Sequence, residues 1–192
     1  GESKEKIEDY KNLISNISRR FYFKKPSIVD IGGNDGSLML EAKKKGYSTT
    51  NIEPTNVALI SKRKGINTIR KNFNIKIAKQ LSIKKKYDFL VSTNFFAHTN
   101  NLKEIILGSK LILKDQGIMI IEVQYLYSVL RVNGFDSIHQ DHRYYYTLNS
   151  IKKILEIFNL YIFDAEFLKK NDEILRVYVN KNKKISSKRF KK

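Results

Sequence analysis

Three histidines and two well-placed carboxylates are the residues of this chain best suited to chemistry. His98 stands in the segment NFFAHTNNL, while His139 and His142 flank Gln140 and Asp141 in HQDH. A histidine near its reference pKa is partly neutral at neutral pH and can serve as a general base. Asp141 is adjacent to His142, so in an extended segment it would orient His139 or contact a substrate instead. Structural readings also exist: His142 as a loop histidine bonded to backbone, His98 as a helix cap. A metal site from His98, His139, His142 and Asp141 is conceivable on residue type, but no tight helical H-x-x-x-H pair is present.

The carboxylates are Asp30 and Glu53. Asp30 directly precedes the turn Gly32-Gly33-Asn34-Asp35-Gly36, which resembles a nucleotide-binding glycine loop but carries acids and no following lysine. Two carboxylates beside a pyrophosphate would repel it, whereas a phosphate loop offers backbone N–H groups and a helix N-terminus. The ligand that suits this turn is a cation. S-adenosylmethionine fits, because it carries an ammonium and a sulfonium and no phosphate. Asp30 would then accept from its amino group, and Gly32 and Gly36 would let backbone approach its methionine end. Glu53, one strand-helix-strand unit downstream, would accept from both ribose hydroxyls. Singly, Asp30 reads as a turn residue and Glu53 as a helix N-terminal charge; together they point to the cofactor.

These residues need a sheet edge to gather on. Apolar residues at Ile7, Tyr10, Leu13, Ile14 and Ile17 predict a helix over residues 5–20. Strands are predicted at 27–31, 49–53, 66–71, 87–93 and 118–123, the last a buried central strand. Helices are predicted at 36–45, from Pro54, at 102–113 and at 149–158. The runs 161–168 and 174–180 are separated by too few residues for a crossover helix, so they predict an antiparallel hairpin. The order is that of a Rossmann-like α/β class I methyltransferase fold: a seven-stranded, mostly parallel sheet with helices on both faces. Residues 1–180 read as one domain, with residues 1–24 as a helical N-terminal segment. Asn94 and Phe95, after the fourth strand, should border the methionine and adenosine. Tyr125 and Glu122, at the end of the fifth strand, should lie on the acceptor side. Arg176, in the last strand, is expected to pair with an acid, with a substrate phosphate as the alternative.

Composition narrows the classes. The 192 residues contain no cysteine, which excludes disulfides, thiolate zinc sites and cysteine nucleophiles. No apolar run approaches the ~20 residues that span a bilayer, and the start has no apolar signal segment, so a cytoplasmic protein is expected. The net charge of +18 admits nucleic acid as a partner. The lysines are nonetheless scattered, and only residues 181–192 form an unbalanced basic tail, expected to be flexible.

Several stretches carry a family resemblance. VDIGGNDGSLM, NIEPTN, NFFAHTNNL, IEVQYL, FDSIHQDHRYYYTL and ILRVYV occur in the order seen in S-adenosylmethionine-dependent C-methyltransferases of nucleotide-activated deoxysugars. The resemblance spans Ser27 to Val179. It implies a sugar or nucleotide-sugar acceptor, places Tyr145 at a recurrent acceptor-side tyrosine, and extends the cofactor loop over Gly33 and Asn34. The chain departs from the family pattern at HQDH, where Tyr-His-Glu-His is usual and only His142 keeps its type. It also lacks the family's four-cysteine zinc domain and its C-terminal domain. Oxygen methylation, a nucleic-acid acceptor and a catalytically silent cofactor-binding module are the competing readings.

Overall fold

The computed structural model describes residues 2–131, 138, 142–168 and 174–184. One sheet organises them. Its strands are β1 (Ser27–Ile31), β2 (Ser48–Ile52), β3 (Thr68–Ile69), β4 (Tyr87–Thr93), β5 (Leu113–Gln124), β6 (Tyr161–Leu168) and β7 (Ile174–Asn180), in the order β3-β2-β1-β4-β5-β7-β6. The first five run parallel, and β7 joins β5 and β6 antiparallel. The helices are α1 (Lys4–Arg20), α2 (Ser37–Lys44), α3 (Ala58–Arg63), α4 (Ile75–Lys84), α5 (Leu102–Ile112), α6 (Leu126–Arg131) and α7 (Leu148–Ile157).

The strands are covered on both faces, so their residues alternate between two cores. Val29, Ile31, Leu90 and Ile121 pack with Ile77, Ile105, Ile106 and Leu155 from α4, α5 and α7. Ile28, Phe89, Val91, Ile120 and Tyr178 pack with Tyr10, Leu13, Ile17, Leu38 and Met39 from α1 and α2. That alternation places Asp30, in step with Ile28, on the α1 side.

Helix α1 follows its predicted stripe: Tyr10, Leu13, Ile14 and Ile17 are buried. Ser3 caps its start by accepting from the Lys6 amide at 3.2 Å. Its far end is tied to the sheet by Arg20, which donates to Asp164 and, at 2.5 Å, to Glu166.

The hairpin strands match their predicted limits, and α7 starts on a reciprocal Thr147–Ser150 capping box. Other elements differ from expectation. β3 shrinks to two residues because the Ile66 amide is taken by Ser61 O at the end of α3, and the Lys71 amide turns back to Ile69 O. The helix expected from Pro54 begins at Ala58, since Thr55 and Asn56 first form a turn with Ala58 N on Thr55 O. β5 starts earlier than predicted and bulges: Tyr87 pairs with Leu113 but Phe89 with Ile118. Gly117 sits there against the Tyr87 carbonyl, while its own carbonyl accepts from Asn180 Nδ2 at 2.6 Å. The basic tail does not begin free of the fold. Lys181 Nζ donates to Leu113 O at 2.6 Å; residues 185–192 lie outside the described residues. Among the described residues no helix is long and apolar enough to cross a membrane.

Candidate active site

The β1–α2 turn is shaped by positive φ at Gly32, Asn34 and Gly36. Gly32 has a second constraint, because a Cβ there would stand 2.6 Å from the Phe95 ring. The Gly32 amide donates to Ile52 O at 2.9 Å, holding the turn against the end of β2.

The two acids of this turn do different work. Asp35 precedes α2, accepting from the Ser37 amide at 3.0 Å and from Lys64 Nζ at 2.8 Å. Burial opposes its charge, but these bonds hold its carboxyl below the usual range. Asp30 is only 1% exposed, and its Oδ1 has no hydrogen-bond partner. Burial pushes its pKa up to about 8, and the charges of Glu122 and Glu53 add to the shift against a weaker opposing pull from Lys6. Glu53, just past β2, is also buried. Its oxygens accept from the Asn34 amide at 3.2 Å and the Thr55 amide at 2.9 Å, which aims the carboxylate along the turn.

Two cavities meet at this edge and share Gly32, Pro54, Phe95 and His98. One, of about 380 Å³, is lined by Glu53, Thr93 and Asn94 and, from α1, by Glu2, Lys6 and Tyr10. The other, of about 310 Å³, runs over Ile31 and Ile52 to Asn72, Phe73, Asn74 and Glu104. Phe95 borders both. Asn94 adopts φ 62° and its amide donates to Glu122 O at 2.8 Å, which turns Phe95 over the edge. Sequence reasoning missed Lys6, Tyr10 and the Asn72–Asn74 segment. The Lys6–Tyr10 spacing places both on one helix face, and Asn74 carries an N-cap signal by accepting from the Ile77 amide; neither signal speaks of a ligand.

Arg143 and Tyr146 are tied to the loop after β4. The Arg143 amide donates to Ala97 O at 2.7 Å, and the Tyr146 hydroxyl donates to Phe96 O at 3.0 Å. These bonds bring His98 and His142 together, with ring centroids 4.8 Å apart, and Tyr145 lies edge-on to His142 at 5.8 Å. Tyr125 pairs in a short bridge with Tyr146 and packs on Phe167 at 4.9 Å. Glu122, expected on the acceptor side, lies at the end of β5. It is buried against Arg176, whose Nη2 lies 2.6 Å from its carboxylate, so the pairing expected for Arg176 takes up the carboxylate. His139 and Asp141 lie outside the described residues. Among the described residues, no group of three or more metal-ligating side chains is gathered.

Comparison with known proteins agrees with this geometry. Residues 4–164 match the family model described as a methyltransferase domain. Over 140 residues the chain is 27% identical to the C-methyltransferase NovU of Streptomyces niveus; the match covers 72% of this chain and 33% of that relative, so the chain spans about a third of its length. An S-adenosylmethionine-dependent methyltransferase from Clostridium acetobutylicum superposes with a TM-score of 0.68 at 16% identity, covering 93% of this chain and 92% of that one. Magnesium protoporphyrin IX methyltransferase from Synechocystis, solved with S-adenosylhomocysteine bound, gives 0.69 at 12% identity, covering 92% and 84%. The family model spans most of the chain, so the chain belongs to the methyltransferase-domain family, and its fold is that of S-adenosylmethionine-dependent methyltransferases.

Proposed function

We propose that this methyltransferase acts on a sugar or nucleotide-sugar acceptor, methylates it at carbon, and uses His142 as the general base. The observation that carries the reading is the contact of His98 with His142 at the mouth of the cofactor cavities. The ordered run of motifs shared with sugar C-methyltransferases, and the similarity to a protein named as a C-methyltransferase, support the acceptor class.

Each residue then has a task. Asp30 holds the ammonium of the methionine end, and Glu53 accepts from the ribose hydroxyls. The apolar walls of the second cavity, Ile52, Phe73 and Phe95, take the flat adenine, with Asn72 at its polar rim. When bound, S-adenosylmethionine supplies an electrophilic methyl group on a sulfonium that is its own leaving group. Carbon becomes nucleophilic enough only beside a carbonyl that can accept the electron pair as an enolate. His142 therefore removes the C–H proton alpha to a keto group, taking it on a ring nitrogen. His98 packs on that imidazole and Tyr145 borders it, which limits its rotation. Tyr125 and Tyr145 wall the acceptor side.

Proton abstraction at carbon can be read without methyl transfer. A keto-sugar incubated in deuterated water with the protein and S-adenosylhomocysteine should gain carbon-bound deuterium. His142→Ala should slow that exchange about 10²–10⁴-fold, and His98→Ala should slow it less. Conversion of a hydroxyl acceptor into a methyl ether, with no deuterium at carbon, would establish oxygen methylation instead. Unchanged exchange in His142→Ala would remove the base assignment.

A further inference from the structure

We propose that Lys6, in the first turns of α1, binds the carboxylate of the cofactor's methionine end, making α1 a selective wall of the cofactor site. The proposal rests on the cofactor reading above and extends it to a residue outside the family motifs.

Charge is the first ground. The methionine end of S-adenosylmethionine carries a carboxylate as well as an ammonium and a sulfonium. The edge that must hold it is crowded with acids: Asp30 and Glu122 within the sheet, and Glu53 and Glu2 on the cavity wall. Those acids suit the two cationic centres and repel the carboxylate. Of the described residues lining the 380 Å³ cavity, Lys6 is the one lysine or arginine. It is close enough to Asp30 to oppose the rise in that carboxyl's pKa. The cofactor's ammonium and carboxylate leave the same carbon, so their partners must stand near each other. The charge of Lys6 acts on Asp30, so the two stand within electrostatic reach of each other.

Placement is the second ground. Lys6 is half-buried while its neighbours Lys4 and Glu5 are exposed. Its Nζ lies 5.2 Å from the centre of the Tyr10 ring, one helical turn on, which holds the ammonium along the cavity wall. Glu2 reaches across to accept from Asn34 Nδ2 at 2.9 Å, tying the segment before α1 to the glycine turn. The rest of α1 is anchored by its buried stripe and by Arg20, so its first turns are not a loose end.

A ligand-residue cycle tests this directly. Calorimetric dissociation constants would be measured for the wild type and for Lys6→Gln, with S-adenosylmethionine and with decarboxylated S-adenosylmethionine. Lys6→Gln should weaken S-adenosylmethionine by about 10-fold or more, and should weaken the decarboxylated compound by less than about 2-fold. Lys6→Arg should restore most of the loss. Equal weakening of both ligands, or no weakening of either, would overturn the role of Lys6 while leaving the cofactor reading in place. Failure of the wild type to bind either compound would overturn both. Circular dichroism of each variant would show that α1 remains folded.

Discussion

Arg176 holds Glu122 from the neighbouring strand, with Nη2 at 2.6 Å and Nε at 2.7 Å from one carboxylate oxygen. Both residues are 6% exposed. The pair continues outward through Glu166, 3.3 Å from Arg176 Nη1, to Arg20 of α1. A charged row thus runs from the end of β5 across β7 and β6 to α1, whose Lys6 and Tyr10 line the 380 Å³ cavity. It helps fix where α1 sits.

Removing one member of a buried pair leaves the other charge uncompensated. Arg176→Met should destabilise the fold by about 3–5 kcal/mol, read as a lower urea midpoint at unchanged slope. The double variant Glu122→Met with Arg176→Met should lose less than the sum of the single changes. Additive losses would show that the two charges do not act as a pair.

Asp30 should make both stability and cofactor affinity depend on pH. Its folded pKa of about 8 lies above the ordinary 3.8, so the folded state keeps a proton that the unfolded chain gives up. The stability this contributes is fully present below about pH 4 and falls as pH rises toward 8, by up to ~1.4 kcal/mol per pH unit. Glu122, Glu53, Glu2, Tyr10 and Lys6 are the ionisable neighbours whose fields act on it. A cationic ligand favours the ionised carboxyl, so cofactor affinity should rise from pH 6 to 7.5 by up to ~10-fold per unit, with release of a proton. Asp30→Asn should flatten both profiles. Calorimetry in buffers of different ionisation heat measures the proton directly.

Glycine substitutions should separate backbone strain from close approach. Gly32→Ala places a Cβ 2.6 Å from the Phe95 ring at φ +73°. Gly46→Ala meets nothing within 4 Å, although its φ is +84°. Each should cost about 1–2 kcal/mol of stability from the left-handed conformation. Only Gly32→Ala should also weaken cofactor binding, because Phe95 must move. Equal effects on affinity would sink that distinction.

Glu53→Ala should weaken cofactor binding by about 1.5–3 kcal/mol if both ribose hydroxyls bond to the carboxylate. It should also loosen the turn, because the Asn34 and Thr55 amides lose their acceptor. A 2′,3′-dideoxyribose cofactor analogue separates the two effects. Its affinity should be low for the wild type and little changed by Glu53→Ala.

Local order was legible in the sequence because its causes are local. The limits of β1, β4, β6 and β7 follow from short apolar runs bounded by turn residues, and α1 from its helical stripe. The acids and glycines around the β1 turn are legible as such, since charge and the absence of a side chain belong to the residue itself. The extent of β3 and the start of α3 escaped, because competing turn bonds from Ser61, Ile69 and Thr55 decided them.

Tertiary structure alone decided which of these groups meet. Glu122 reads in sequence as an acid at the end of the fifth strand, and only the antiparallel return of β7 sets Arg176 against it. His98 and His142 become neighbours because one amide-carbonyl bond joins Arg143 to Ala97. The stripe of α1 shows which face is buried but not which edge of the sheet it covers, so Lys6 and Tyr10 carried no functional signal on their own. The raised pKa of Asp30 likewise belongs to its surroundings. A carboxyl's charge depends on the water and the charges around it, and the fold sets both.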